Sequence, residues 1–212
     1  MKWKYIRYIV VVFSLLIFFY MAYLYVNNRL YHLDSFVYDN LIKIERNSIT
    51  KGLIIITNLV SPVIILGTII AMTVFMKRKQ AVIMLTLNLI LTVCLNLSLK
   101  YIFIRTRPNI KQLVTESGYS FPSGHAMISL AFYGFIIYLI YTSKSISRQH
   151  KKVFIPLIGL LIFLIGISRI YLGVHYVSDV IAGYSISLAY LIIYIEIIKK
   201  KVVINEKKQI SK

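Results

Sequence analysis

Apolar residues run through this chain in long blocks separated by short polar segments. Six blocks are long enough to cross a bilayer as helices, at about 5–27, 53–76, 80–104, 124–142, 153–169 and 176–198. Pro62 falls inside the second and predicts a kink there. The pattern predicts an all-α fold, an integral membrane bundle of six transmembrane helices, with residues 1–212 forming one membrane-embedded domain. Between the first two blocks, Leu33, Val37, Leu41 and Ile44 recur at helical spacing beside Asp34, Lys43, Glu45 and Arg46. This segment reads as an amphipathic helix on the membrane surface or as a polar loop packed over the bundle.

Composition agrees with the pattern. The chain is 58% hydrophobic with a mean hydropathy of +0.76, well above soluble domains. Its start, MKWKYIRYIVVVFSLLIFFYMAYLYVNN, has the basic head of a signal peptide. The apolar stretch is too long for one and no small-residue cleavage site follows, so it reads as a retained first helix. The single cysteine, Cys94, excludes an intramolecular disulfide and a Cys-based zinc site, and its mid-helix position reads as packing.

The net charge of +18 would point to nucleic acid in a soluble protein. Here the cations cluster between apolar blocks, where they set topology and meet anionic head groups, so the bilayer is the partner and nucleic acid is not. Lys2, Lys4, Arg7, Lys77, Arg78, Lys79, Lys144, Arg148, Lys151, Lys152, Lys199, Lys200, Lys201, Lys207, Lys208 and Lys212 fall on one side, 16 of the 25 Lys and Arg residues. The positive-inside rule then puts both termini in the cytoplasm. Three polar clusters fall together on the outer face. A plasma-membrane location follows, and no segment encodes an oligomeric state.

Those clusters are Lys100–Pro108, Pro122–His125 and Ser168–Asp179. Ionisable groups at membrane depth are costly, which makes function their default reading. Lys100 and Arg107 are about two helical turns apart, and Pro108 ends the helix near Arg107. Both suit phosphate oxygens, although for an isolated pair head-group anchoring would be the favoured reading. In the same span Asn88, Thr92 and Asn96 form a polar stripe that suits hydrogen bonding inside the bundle. In the second cluster Ser123 suits an N-cap and Gly124 a close backbone approach, and a helix N-terminus favours an anion. His125, in the first turn, could donate a proton to a leaving oxygen or simply sit at the interface. In the third, His175 and Asp179 share a helical face four residues apart. A carboxylate on one imidazole nitrogen fixes the tautomer and raises the basicity of the other, preparing a nucleophile or base. The same pair could be structural. Arg169 can reach back toward the same phosphate. Two histidines and one aspartate among three cations, with no further carboxylate in the clusters, disfavour a metal, and the chain calls for no cofactor.

Taken in order, Lys100…Arg107-Pro108, Pro122-Ser123-Gly124-His125 and Ser168-Arg169…His175…Asp179 reproduce Lys-x6-Arg-Pro, Pro-Ser-Gly-His and Ser-Arg-x5-His-x3-Asp. The chain thereby resembles the phosphatidic acid phosphatase type 2 (lipid phosphate phosphatase) superfamily, with no signature position departing. The resemblance implies that His175 attacks phosphorus, Asp179 orients it, and His125 protonates the departing oxygen. It also implies that Lys100, Arg107, Ser123, Gly124 and Arg169 bind phosphoryl oxygens, and that no metal takes part. Its substrates would be lipids such as phosphatidylglycerophosphate, phosphatidic acid or undecaprenyl pyrophosphate, and its product inorganic phosphate. Two alternatives are a phosphotransferase passing the phosphoryl group from His175 to another acceptor, and a non-enzymatic protein that binds or transports anionic lipid. The second has no use for a His–Asp pair in register with a second histidine.

Overall fold

The computed structural model describes residues 2–75 and 79–210, with side chains over 5–75 and 79–199. Of the basic residues assigned to one side, Lys77, Arg78 and Lys212 lie outside the described residues, as do the side chains of Lys2, Lys4, Lys200, Lys201, Lys207 and Lys208. The helices are α1 (Lys2–Val26), α2 (Tyr31–Ile42), α3 (Asn47–Asn58), α4 (Pro62–Phe75), α5 (Lys79–Phe103), α6 (Gly124–Thr142), α7 (Arg148–Tyr171) and α8 (Val177–Ile210). By length and apolar content α1, α5, α6, α7 and the first part of α8, Val177–Lys199, can each cross a membrane. The pair α3 and α4, bent by 49°, makes a sixth span. Their outer surfaces expose Phe13, Phe19, Leu66, Ile90 and Phe163, the side chains that lipid solvates. The chain is an all-α, multi-pass membrane protein.

Several boundaries differ from the sequence reading for local reasons. The second span starts at Asn47, before 53, and it breaks where a kink was expected. The chain leaves α3 at Leu59, and Pro62 opens α4 as its first residue, where a missing N–H costs nothing. The fifth span begins at Arg148 because Ser147 caps it, accepting from His150 N at 3.3 Å. The third ends at Phe103, ahead of Pro108, with Ile104 in the left-handed region at φ 50°. Arg107 therefore lies in the connecting loop of residues 104–123, and does not share a helical face with Lys100.

The segment before α3 does form a helix, α2, and one face of it packs on the bundle. Val37 and Leu41 pack against Ala126, Ile170 and Val180, while Leu33 and Ile44 remain exposed. At the centre of the bundle Leu85, Phe132, Phe135, Ile165 and Leu191 form the main apolar core. The polar stripe of α5 faces inward as its spacing implied. Asn88 Nδ2 donates to Ala131 O at 2.8 Å and Asn96 Nδ2 to Pro122 O at 3.2 Å, so two of its three members bond across to α6 or its entry turn. Cys94 is not a packing residue, because it sits on the exposed face of α5.

Close approach of α8 to the start of α6 depends on Gly183. A Cβ there would lie 2.9 Å from Ser123 O and 3.2 Å from Ala126 Cβ. Small residues at such crossings let helices approach within a membrane. Gly183→Ala should force the two helices apart and destabilise the fold by about 1–3 kcal/mol. Thermal unfolding in detergent measures it; an unchanged midpoint would show that the contact yields without cost.

Candidate active site

The three motifs meet at one end of the bundle, and backbone bonds fasten them together. Ser123 N donates to Asp179 O at 3.0 Å, joining the second motif to the third. Ser120 N donates to Arg105 O at 2.7 Å, joining the run before the second motif to the first. Phe121 is fully buried, packed among Phe18, Tyr25 and Phe103, with ring centroids 6.0, 5.8 and 4.9 Å away. Those contacts seat the turn that opens α6. There Ser123 caps the helix, its Oγ accepting from Ala126 N at 3.5 Å. Gly124 fits because a Cβ would come within 2.9 Å of Asn96 Oδ1.

His175 sits in the short turn between α7 and α8 and is 3% exposed. Its Nδ1 faces Asp179 Oδ2 at 3.3 Å and Ser120 Oγ at 3.2 Å. On the other side Nε2 lies 3.4 Å from Arg107 Nη1. A guanidinium can only donate, so Nε2 is the lone-pair nitrogen and Nδ1–H donates to the carboxylate. Burial, with Arg107 and Arg169 nearby, outweighs the pull of Asp179 and brings the His175 pKa down to about 4. The ring is neutral at pH 7, with its lone pair toward the cations. Asp179 is fully buried. Its Oδ1 accepts from Arg105 Nη1 at 2.6 Å, and its Oδ2 also accepts from Ser120 Oγ at 2.5 Å and Tyr176 N at 2.9 Å.

The cations lie nearby, each on its own partners. Arg107 Nη1 donates to Val174 O at 2.9 Å, and its remaining donors reach Gly118 O at 3.1 Å and Ser117 O at 2.8 Å. Lys100 Nζ donates to Tyr119 O at 2.5 Å. Arg169 is buried, with Nη1 on Thr57 Oγ1 at 2.9 Å and Nη2 paired with Glu116. Its Nε is buried and has no hydrogen-bond partner among the described residues. His125, half-buried in the first turn of α6, lies close enough to feel the charges of Arg169, His175, Arg107 and Lys100. All eight residues singled out in the motifs are thus gathered in one place. Among the described residues, no group of three or more His, Cys, Asp or Glu side chains converges to hold a metal ion.

Sequence reasoning missed four participants. Arg105, inside the first cluster but without a role in the signature, is 7% exposed and joins Asp179 to Asp34 of α2. Ser120 supplies the shortest bond to Asp179, and Glu116 lies across Arg169 and Arg107. For Arg105 a signal existed: an arginine beside an apolar helix end is as costly as the motif arginine two residues on. Asp34, Glu116 and Ser120 carried no such mark. Beside the site a cavity of about 710 Å³ opens between the end of α1, α2 and residues 105–110, and it reaches His175.

A bundle of apolar helices with a cationic, histidine-bearing site at one end is the architecture of a multi-pass membrane protein with a buried polar centre. The chain belongs to the PAP2 superfamily, whose model matches residues 81–202. It is similar to phosphatidylglycerophosphatase B of Bacillus subtilis (strain 168), 44% identical over 94 residues, or 44% of this chain and 46% of that protein. It also resembles the bacitracin transport permease protein BcrC of Bacillus licheniformis, 41% identical over 80 residues, covering 37% of this chain and 34% of that one. The matched segments span less than half the length of these curated relatives. Among solved structures, a transmembrane PAP2 type phosphatidylglycerolphosphate phosphatase from Bacillus subtilis superposes with a TM-score of 0.83 at 30% identity, over 90% of this chain and 96% of that one. LpxE of Aquifex aeolicus superposes with a TM-score of 0.64 at 25% identity, over 77% and 95%.

Glu116 meets two of the cations that an anion would need. Removing its charge while keeping its shape should free them, so Glu116→Gln is expected to bind orthovanadate about 10-fold more tightly, or ~1.4 kcal/mol. Calorimetric titration in detergent reads this directly. Weaker binding would mean that Glu116 helps to shape the site for the anion.

Proposed function

We propose that this chain is a metal-independent phosphohydrolase of membrane lipid phosphates, acting through a phosphohistidine on His175, within a single membrane-embedded domain. One observation carries the reading: His175 Nδ1 faces the Asp179 carboxylate, and its lone-pair nitrogen Nε2 is turned toward Arg107 Nη1 at 3.4 Å. In that arrangement Nε2 attacks phosphorus while the bond to the lipid oxygen breaks. His125, protonated once the negative phosphate lies beside it, gives that proton to the departing oxygen. Water then attacks the phosphohistidine and returns a proton to His125, and phosphate leaves. Lys100, Arg107, Arg169, the Ser123 hydroxyl and the Gly124 amide bind the three equatorial oxygens, where charge gathers in the transition state. The unpaired Nε of Arg169 supports this role, since a buried donor without a partner is costly until a phosphoryl oxygen meets it. The names of two relatives favour phosphatidylglycerophosphate among the possible lipids, phosphatidic acid and undecaprenyl pyrophosphate being the others. Transfer to an acceptor other than water would use the same steps up to the phosphohistidine.

The test is phosphate release by purified protein in EDTA from the three lipids, with no acceptor added. His175→Ala should abolish it. His125→Ala should fall about 10²–10⁴-fold on lipid substrates and recover in part on an activated aryl phosphate, whose leaving group needs no proton. Equal recovery of both variants would refute the division of labour. Activity lost in EDTA and restored by a divalent ion would refute metal independence.

Orientation is part of the same reading: both termini cytoplasmic and the site outward, as the distribution of basic residues supports. In a Cys94→Ser background, cysteines introduced at Arg148 or Lys207 should resist an impermeant thiol reagent in intact cells and react after permeabilisation. Labelling of either from outside would reverse the topology.

A further inference from the structure

Arg105 and Asp34 are not among the motif residues, yet both are bound into the assembly behind His175. Arg105 Nη1 donates to Asp179 Oδ1 at 2.6 Å and to Ser178 Oγ at 2.7 Å, and its Nη2 donates to Asp34 Oδ2 at 2.7 Å. Asp34 in turn accepts from Ser178 N at 3.0 Å and from Ser178 Oγ at 2.9 Å. The guanidinium lies 4.0 Å from the ring centroid of Tyr176 and 5.1 Å from that of Tyr25, which hold it in place. The result is a continuous buried chain, Asp34–Arg105–Asp179–His175.

Two features argue against mere glue. Tying α2 to the bundle does not require buried charge, since well-packed apolar residues commonly do as well or better. More specifically, Arg105 engages Oδ1 of Asp179 and leaves Oδ2 to His175, Ser120 and the Tyr176 amide. Losing Arg105 would free the carboxylate to turn about its own bond. We infer that Arg105 and Asp34 are positioning residues for the nucleophile: Arg105 fixes the carboxylate of Asp179 and shares its charge, and Asp34 holds Arg105. This inference rests on the assignment of His175 as nucleophile and extends it to α2, which bears no motif.

The charged groups facing His175 come from every element around it: Lys100 of α5, Arg105, Arg107 and Glu116 of the loop, His125 of α6, Arg169 of α7, Asp179 of α8 and, through Arg105, Asp34 of α2. Against that fixed background, changes at the two ends of the chain act with opposite sign. Without the Arg105 charge, Asp179 acts undivided on the imidazole and stabilises its protonated form. Without the Asp34 charge, Arg105 turns wholly to Asp179 and destabilises it.

The experiment is a ¹⁵N-histidine NMR titration of the full chain in detergent micelles, with the His175 signal assigned by its loss in His175→Gln, beside steady-state phosphate release. In Arg105→Gln the His175 midpoint should rise by about 0.5–1 unit, and in Asp34→Asn it should fall by a smaller amount. Turnover should drop about 10–100-fold in Arg105→Gln and about 3–10-fold in Asp34→Asn, with KM within about 2-fold in both. Arg105→Lys keeps the charge without the two-sided fork, so its midpoint should stay near that of the unaltered protein while kcat recovers only in part. A purely structural role would cost folded protein and leave the midpoint of the folded fraction in place. Midpoints unmoved in both Arg105→Gln and Asp34→Asn, or kcat unchanged in either, would overturn the inference. Should Arg105→Gln not fold, Asp34→Asn and Arg105→Lys decide it. Should the unaltered protein release no phosphate, the proposed function fails by itself, and the opposite midpoint shifts still judge the chain.

Discussion

The buried carboxylate of Asp179 is the interaction on which the rest of this site depends. A lone carboxylate in an apolar bundle is prohibitively costly, so it must be met by donors wherever it can be reached. Here they come from four directions: Arg105 and Ser120 from the loop, His175 from the turn before α8, and the Tyr176 amide from the same turn. Its backbone carbonyl takes a fifth donor, the amide of Ser123. One residue thus draws together the loop after α5, the entry to α6, the turn between α7 and α8 and, by way of Arg105, helix α2. Convergence of three motifs far apart in sequence is the geometric consequence of satisfying that one charge.

The cations pose the opposite problem. Lys100, Arg107 and Arg169 are brought close to one another, where repulsion and desolvation both oppose the folded state. The loop of residues 104–123 answers with a carboxylate and carbonyls. Glu116 pairs with Arg169 and Arg107, while Ser117, Gly118 and Tyr119 present their carbonyls to Arg107 and Lys100. The same loop is fastened at its middle to the turn after α7, where Leu113 N donates to Leu172 O at 3.0 Å and Gly173, at φ 72°, leaves no room for a side chain against Lys111 O. It is therefore a folded part of the site rather than a mere connection.

How much of this was legible depended on the range of the interaction. Apolar blocks follow from bilayer thickness, which is a one-dimensional constraint, so the spans could be read directly and the fourth was read at both ends. The His175–Asp179 pair and the Ser123 cap are local, within a few residues, and spacing sufficed even though His175 lies in the turn before α8 and not on its helical face. What failed was non-local. Asp34 meets Arg105 and Ser178 across 71 and 144 residues, and no periodicity links them. Glu116 lies at no motif position, and its part arises only when Arg107 of the same loop and Arg169 of α7 close on it. Arg105 was hidden differently: it stands in the first cluster between Lys100 and Arg107 but at no signature position, and its partners Asp34 and Asp179 lie far away in sequence.

Charge also bears on which anion suits the site. Three cations against the single carboxylate of Glu116 leave the cluster at net +2 while His175 is neutral. A phosphate monoester dianion carries the matching charge, so it can enter with Glu116 in place or displace it, and the competition is between one carboxylate and a group with three acceptor oxygens. Electrostatic complementarity set before binding costs no reorganisation during reaction, which is the condition under which fixed donors contribute most to phosphoryl transfer. The histidine then needs only to be held still. Asp179 does so at its Nδ1, Arg105 holds Asp179, and the apolar bundle keeps all of them from water that would otherwise weaken each bond.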